Sequence, residues 1–194
     1  VTFGDAEEGF TKMKAGFVVD VTHPCSNDIP RWKDSGMFQG MDKSRLSSYG
    51  DLFGALVNLP GANDSAGQWF MPFDWGATSI TYRTDLVDLE GKAESWEMLF
   101  DPRYKGKIAV IDSAADTWYC MAILAGVDIA KPLTGEDIDK TNALMKKLRP
   151  QVRMFTNDMT SLQQAMASGE IVMALTWNET PVALAAEGHP VRFA

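Results

Sequence analysis

Four short stretches carry residue types that could do chemistry. "AVIDSAADTWYC" places Asp112, Ser113 and Asp116 just after an apolar run, and "MALTWNET" ends another run on Trp177, Asn178, Glu179 and Thr180. "MPFDWGATSITYR" sets Asp74 and Trp75 ahead of a β-branched run, and "VTHP" ends on Thr22 and His23. Carboxylates beside indoles suit a cationic ligand. An aromatic face covers methylenes or attracts the cation, and a neighbouring acid neutralises an ammonium. Each residue also has a plainer use. Asp112 or Ser113 would cap a helix, with Asp116 favourable in its first turn. Trp177 would pack in a core or at its rim. Asp74, flanked by aromatics, would lie exposed at a strand end or be paired.

Catalytic readings fare worse. There is no GxSxG, GxxxxGK[ST], HExxH or GxGxxG. The two histidines, His23 and His189, each precede a proline in separate elements, which argues against a triad or a metal site. His23 reads better as a polar contact and His189 as a turn residue. A hydrolase or transferase would have to pair Ser113 or Cys120 with His23. Cys25 and Cys120 are the only cysteines and show no metal spacing, so neither metal nor cofactor is expected. The expectation is a binding protein and not an enzyme.

The elements that must position these residues alternate strand and helix. "DAEEGFTKMKAG" is a helix ending at Gly16, after a short strand at "VTF". "FVVDVTHP" reads as a buried strand closed by Pro24. A short helix follows near "SNDIPRWKDSG", and "PGANDSAGQ" is a surface loop. Ser95 caps "WEMLFD", and "GKIAVID" is a strand leading into the helix "SAADTWYCMAILAG". Thr134 caps a helix whose first turn is acidic and last turn basic, as the helix dipole favours. "VRMF", "IVMALTW" and "HPVRFA" are strands around the helices "DMTSLQQAMASG" and "ETPVALAAEG". This interleaving indicates an α/β fold, in which ligands sit beyond the carboxyl ends of strands.

The 194 residues allow one large domain or two small lobes. A net charge of −8 argues against nucleic acid or an anionic membrane as partner. No run approaches the roughly 20 apolar residues that span a bilayer.

Taken together, "WGATSITYRTDLVD", "SWEMLFDPRYKGKIAVIDSAADTWYCMAILAG" and "MTSLQQAMASGEIVMALTWNETPVALAAEG" resemble the periplasmic spermidine/putrescine (polyamine)-binding proteins of ABC transporters. The resemblance runs over most of residues 10–190. It implies the type II periplasmic-binding-protein fold, two α/β lobes joined by hinge strands. Residues 1–76 would be part of lobe one, 77–194 lobe two, and 74–82 a hinge strand with cleft aromatics such as Trp75 beside it. It also implies an internal portion of a longer protein, with lobe one incomplete. The function it implies is an extracellular or periplasmic receptor, acting as a monomer. It would bind a polyamine or other small amine between the lobes and deliver it to an ABC permease in the inner membrane. Thr22, His23, Ser113, Asp116, Trp177 and Thr180 fall on the family's cleft positions, with Glu179 beside Thr180 and Asp74 as a further acid. Three of these depart from the pattern: His23 replaces an aromatic, Ser113 an acid, and Thr180 an acid or Ser. With fewer carboxylates to pair buried ammonium groups, a diamine suits the site better than spermidine. Zwitterionic amines, thiamine-like ligands and metals remain within the same fold, although no two tyrosines are adjacent as iron sites of this fold require. The cysteines, in different lobes by this resemblance, are expected as free thiols.

Overall fold

A computed structural model describes residues 6–194; the short strand expected at "VTF" lies outside the described residues. The chain divides into two compact units, one running to Trp75 and the other covering Gly76–Ala194.

The first unit is built from short pieces. Helix α1 (Ala6–Lys14) ends in a left-handed Gly16, and α2 (Ile29–Asp34) ends the same way at Gly36. Both terminations follow from glycine's freedom at positive φ. Trp32 of α2 is buried, with the Phe10 ring edge-on at 5.5 Å and Phe38 tilted at 5.7 Å. After α3 (Gly54–Val57), the expected loop at "PGANDSAGQ" folds instead into a small antiparallel hairpin, β1 (Asn63–Asp64) with β2 (Gly67–Gln68). Asp64 drives that turn by accepting from the Ala66 and Gly67 amides.

One expectation fails in this unit. Residues 17–24 form neither strand nor helix, and Val18 and Val21 are 86% and 87% exposed. β-branched composition permits an extended chain, but a strand also needs a neighbour to complete its ladder. The ladder described in this unit is the β1–β2 hairpin with a single bridge to Met41, and it does not reach this segment.

The second unit has one mixed sheet in the order β5-β4-β6-β3-β7. Its strands are β3 (Thr78–Arg83), β4 (Ile108–Ile111), β5 (Val152–Thr156), β6 (Met173–Trp177) and β7 (Val191–Phe193). β4 runs parallel to β5 and β6, whereas β3 runs antiparallel to β6 and β7. Alternation along the strands feeds two cores. Ile108, Val110, Met173 and Leu175 face one cluster with Cys120, Met121 and Leu148, from α4 (Tyr119–Leu124) and α5 (Gly135–Leu148). Ala109, Ile111 and Ala174 face the other with Leu162, Met166 and Leu184, from α6 (Met159–Ala167) and α7 (Glu179–Ala186). Thr134 makes the cap expected at the start of α5, and Asp137 completes it as a capping box. Arg83, nearly buried, donates to the Met166 and Ala167 carbonyls at the end of α6 and grips Asp85 with two nitrogens. Among the described residues no helix is long and apolar enough to cross a membrane.

Candidate functional site

The mixed sheet decides which side chains meet. β4, β5 and β6 all finish at one edge, and antiparallel β3 begins there, with Thr78 opposite Trp177 in the ladder. The carboxyl ends of three strands and the start of a fourth therefore share one rim. The backbone beyond β4 then makes a single π-helical turn, Ala114–Trp118, before α4. Single turns of this width recur at functional sites. Thr117 anchors the turn by donating to the Ile111 carbonyl at 2.6 Å, and Asn157 donates to the Asp112 carbonyl at 3.0 Å.

Asp116 is the centre of the arrangement. Its Oδ1 accepts from the Thr78 hydroxyl at 2.6 Å and from the Trp177 indole Nε1–H at 2.9 Å. Its Oδ2 has no hydrogen-bond partner among the described residues. Asp116, Trp177 and Thr78 are each half-buried, so the carboxylate is braced yet reachable. Next to it, Asn178 Oδ1 accepts from the Ala77 amide at 3.0 Å, and the Asn178 amide donates to the Ala77 carbonyl at 3.1 Å. A Cβ on Gly76 would come within 2.8 Å of Asn178 Oδ1, so glycine is what lets this pairing close. The result is a half-buried carboxylate with one free oxygen beside an indole, suited to a small cation.

Ser113 lies half-buried at the start of the π-turn. The capping expected of Asp112 or Ser113 is made by neither side chain; the turn is held from within, by Thr117. Glu179 is exposed in the first turn of α7. Thr180 is fully buried, with its hydroxyl on the Met159 sulfur at 3.8 Å, so it faces the core and not the rim. The change from strand to helix at Asn178 turns it inward. Cys120 is buried, and desolvation together with the charge of Asp116 pushes its thiol up to about 12. At neutral pH it is a protonated thiol, not a nucleophile.

The remaining candidates belong to the first unit. His23 stacks on Phe70 with centroids 6.4 Å apart and meets Phe73 edge-on at 5.5 Å. Its Nε2 lies 3.6 Å from Asp74 Oδ1. Thr22 is half-buried beside it, and Trp75 is 76% exposed. His23 and Asp74 are thus brought together with two aromatics, while Trp75 stands clear of them. Thr78 was not singled out by sequence reasoning, and Asn178 stood out only as a neighbour of Trp177. Only strand register places Thr78 against Trp177, and register was not legible.

Comparison with known proteins bears on the family and the fold. Residues 5–194 match the family model described as bacterial extracellular solute-binding protein. The spermidine/putrescine-binding periplasmic protein of Escherichia coli K12 is 26% identical over 192 residues, covering 98% of this chain and 53% of that protein. The putrescine/agmatine-binding protein of Pseudomonas aeruginosa is 25% identical over 189 residues, covering 92% and 51%. A solved structure titled a putative spermidine/putrescine ABC transporter from Listeria monocytogenes superposes with a TM-score of 0.86 at 21% identity, over 100% of this chain and 58% of that one. The chain spans about half the length of the curated relatives it matches.

Proposed function

We propose, since this chain belongs to the bacterial extracellular solute-binding protein family, that it serves as a receptor for a small amine, held at the rim around Asp116. The receptor works outside the inner membrane, in the periplasm, and hands the solute to an ABC permease. It is not an enzyme. The observation that carries the reading is the Asp116 carboxylate, fixed by Thr78 and Trp177 with Oδ2 left to accept. A half-buried carboxylate beside an indole offers charge to an ammonium and an apolar face to the methylenes that follow it.

The relatives' names support the solute class: spermidine and putrescine for the Escherichia coli protein, putrescine and agmatine for that of Pseudomonas aeruginosa. With Ser113 in place of a second acid and Thr180 turned into the core, one carboxylate is braced at this rim, which favours a diamine over spermidine. The connection at residues 74–82 is the hinge strand, with 1–76 in lobe one and 77–194 in lobe two. Within the first unit, Thr22, His23, Asp74 and Trp75 are the candidate ligand contacts. A net charge of −8 fits a cationic solute and no nucleic-acid partner, and the receptor acts as a monomer. Calorimetric titration of the full-length protein with putrescine, spermidine and γ-aminobutyrate tests this. One saturable site for putrescine is expected; absence of heat with every amine would refute the amine reading while leaving the family intact.

A further inference from the structure

We infer that Thr78 and Trp177 are positioning residues that hold Asp116 as a one-oxygen acceptor, so the site selects a primary ammonium over a guanidinium. The inference rests on the amine-receptor reading and adds a rule for which cationic head group is admitted.

The chemistry lies in how many acceptor positions are left. An ionised carboxylate offers about four lone-pair positions over two oxygens. Oδ1 of Asp116 already takes the Thr78 hydroxyl and the Trp177 indole N–H, which fills its share. Both donors are fixed by the sheet, because Thr78 and Trp177 are direct partners in the β3–β6 ladder. The indole nitrogen can only donate, so that contact cannot reverse. Oδ2 remains. A guanidinium is a planar fork whose strong pairing uses two parallel N–H groups on both oxygens of a carboxylate. Here it would meet one open oxygen and one saturated oxygen. An ammonium is a compact donor with three rotatable N–H groups, and one of them can pair with Oδ2 without calling on Oδ1.

The discriminating probes are putrescine and diguanidinobutane, which share a butane spacer and differ in carrying ammonium or guanidinium ends. Both are titrated calorimetrically into the full-length protein, unmodified and as Thr78→Val, Thr78→Ser and Trp177→Phe. Valine keeps the β-branched shape a strand favours but removes the hydroxyl, and phenylalanine keeps a ring but removes the N–H.

The unmodified protein is expected to prefer putrescine by about tenfold or more, the scale of one lost charge-assisted bond. Thr78→Val should narrow that ratio to within about threefold, and Thr78→Ser should restore it. Trp177→Phe should narrow the ratio in the same direction, and supplies the reading if the valine variant does not fold. Diguanidinobutane binding the unmodified protein as tightly as putrescine would overturn the inference. So would loss of affinity for both ligands in equal proportion, which is what a purely structural Thr78 would give. If neither ligand binds the unmodified protein, the amine-receptor reading itself falls, and the inference with it.

Discussion

Replacing Asp116 by Asn changes one property of the rim and leaves its geometry in place. Two donors, Thr78 Oγ1 at 2.6 Å and Trp177 Nε1 at 2.9 Å, converge on Oδ1. The indole N–H cannot accept, so the Asn carbonyl oxygen must take the Oδ1 position and the amide nitrogen must take that of Oδ2. Where an ammonium would have met a charged acceptor, it then meets two N–H donors. The lost interaction is a hydrogen bond to a charged group, about 1.5–3 kcal/mol, or roughly ten- to a hundredfold in Kd. Because both structural contacts survive with a neutral acceptor, the melting temperature should move by no more than about 3 °C. Calorimetry with putrescine and a thermal melt of the same preparation read the two quantities together. A Kd within about threefold of the unmodified protein would remove Asp116 from ligand binding. A large fall in melting temperature with a proportionate fall in affinity would make it a structural brace only.

Other consequences follow from the same structure. In native protein at pH 8, dithiobis(nitrobenzoate) should react with exposed Cys25 and spare buried Cys120, whose thiol is pushed up to about 12; fast reaction of both would contradict the packing. Arg83→Met should destabilise the protein by about 2–3 kcal/mol in urea melts, because the last carbonyls of α6 and the Asp85 carboxylate lose their shared donor. The Asp158 carboxyl, held below its usual 3.8 by the Ser161 hydroxyl and amide, caps α6. Its folded pKa is depressed, so its contribution is fully present above 3.8 and is lost as pH falls through the lower folded value. Asp158→Asn keeps a capping oxygen without the titration, so the gap in melting temperature between the two proteins should close as pH drops below about 4; a gap independent of pH would refute it.

Much of the second unit was legible because its signals are local. Thr134 ahead of an acidic first turn marks a helix start, Gly126 and Gly169 end helices, and "GKIAVID" and "IVMALTW" are short apolar runs bounded by polar turns. Residues 17–24 misled for a physical reason, since composition reports what a segment tolerates and pairing depends on a neighbour elsewhere. Thr180 misled through counting along the chain. Its spacing to Leu184, one helical turn on, was the better signal, because both lie on the buried side of α7. Asp116 and Trp177 stood out by residue type. Thr78 did not, because nothing in "GATSITYR" reveals that its threonine sits opposite Trp177.

The same pairing has a consequence for how the protein is made. Ala77 and Asn178, which join the start of β3 to the end of β6, are 101 residues apart in the chain. At roughly 5–20 residues per second, β3 leaves the ribosome about 5–20 seconds ahead of the strand that will cover it. Contacts so distant in sequence form late, after the closure entropy of the loop between them has been overcome. In that interval the strand offers Ile80 and Tyr82 and an unpaired backbone to any passing chain. The carboxylate receives its two braces only when this pairing is made, so a solute that needs Asp116 braced binds the paired strands and leaves the waiting intermediate unprotected.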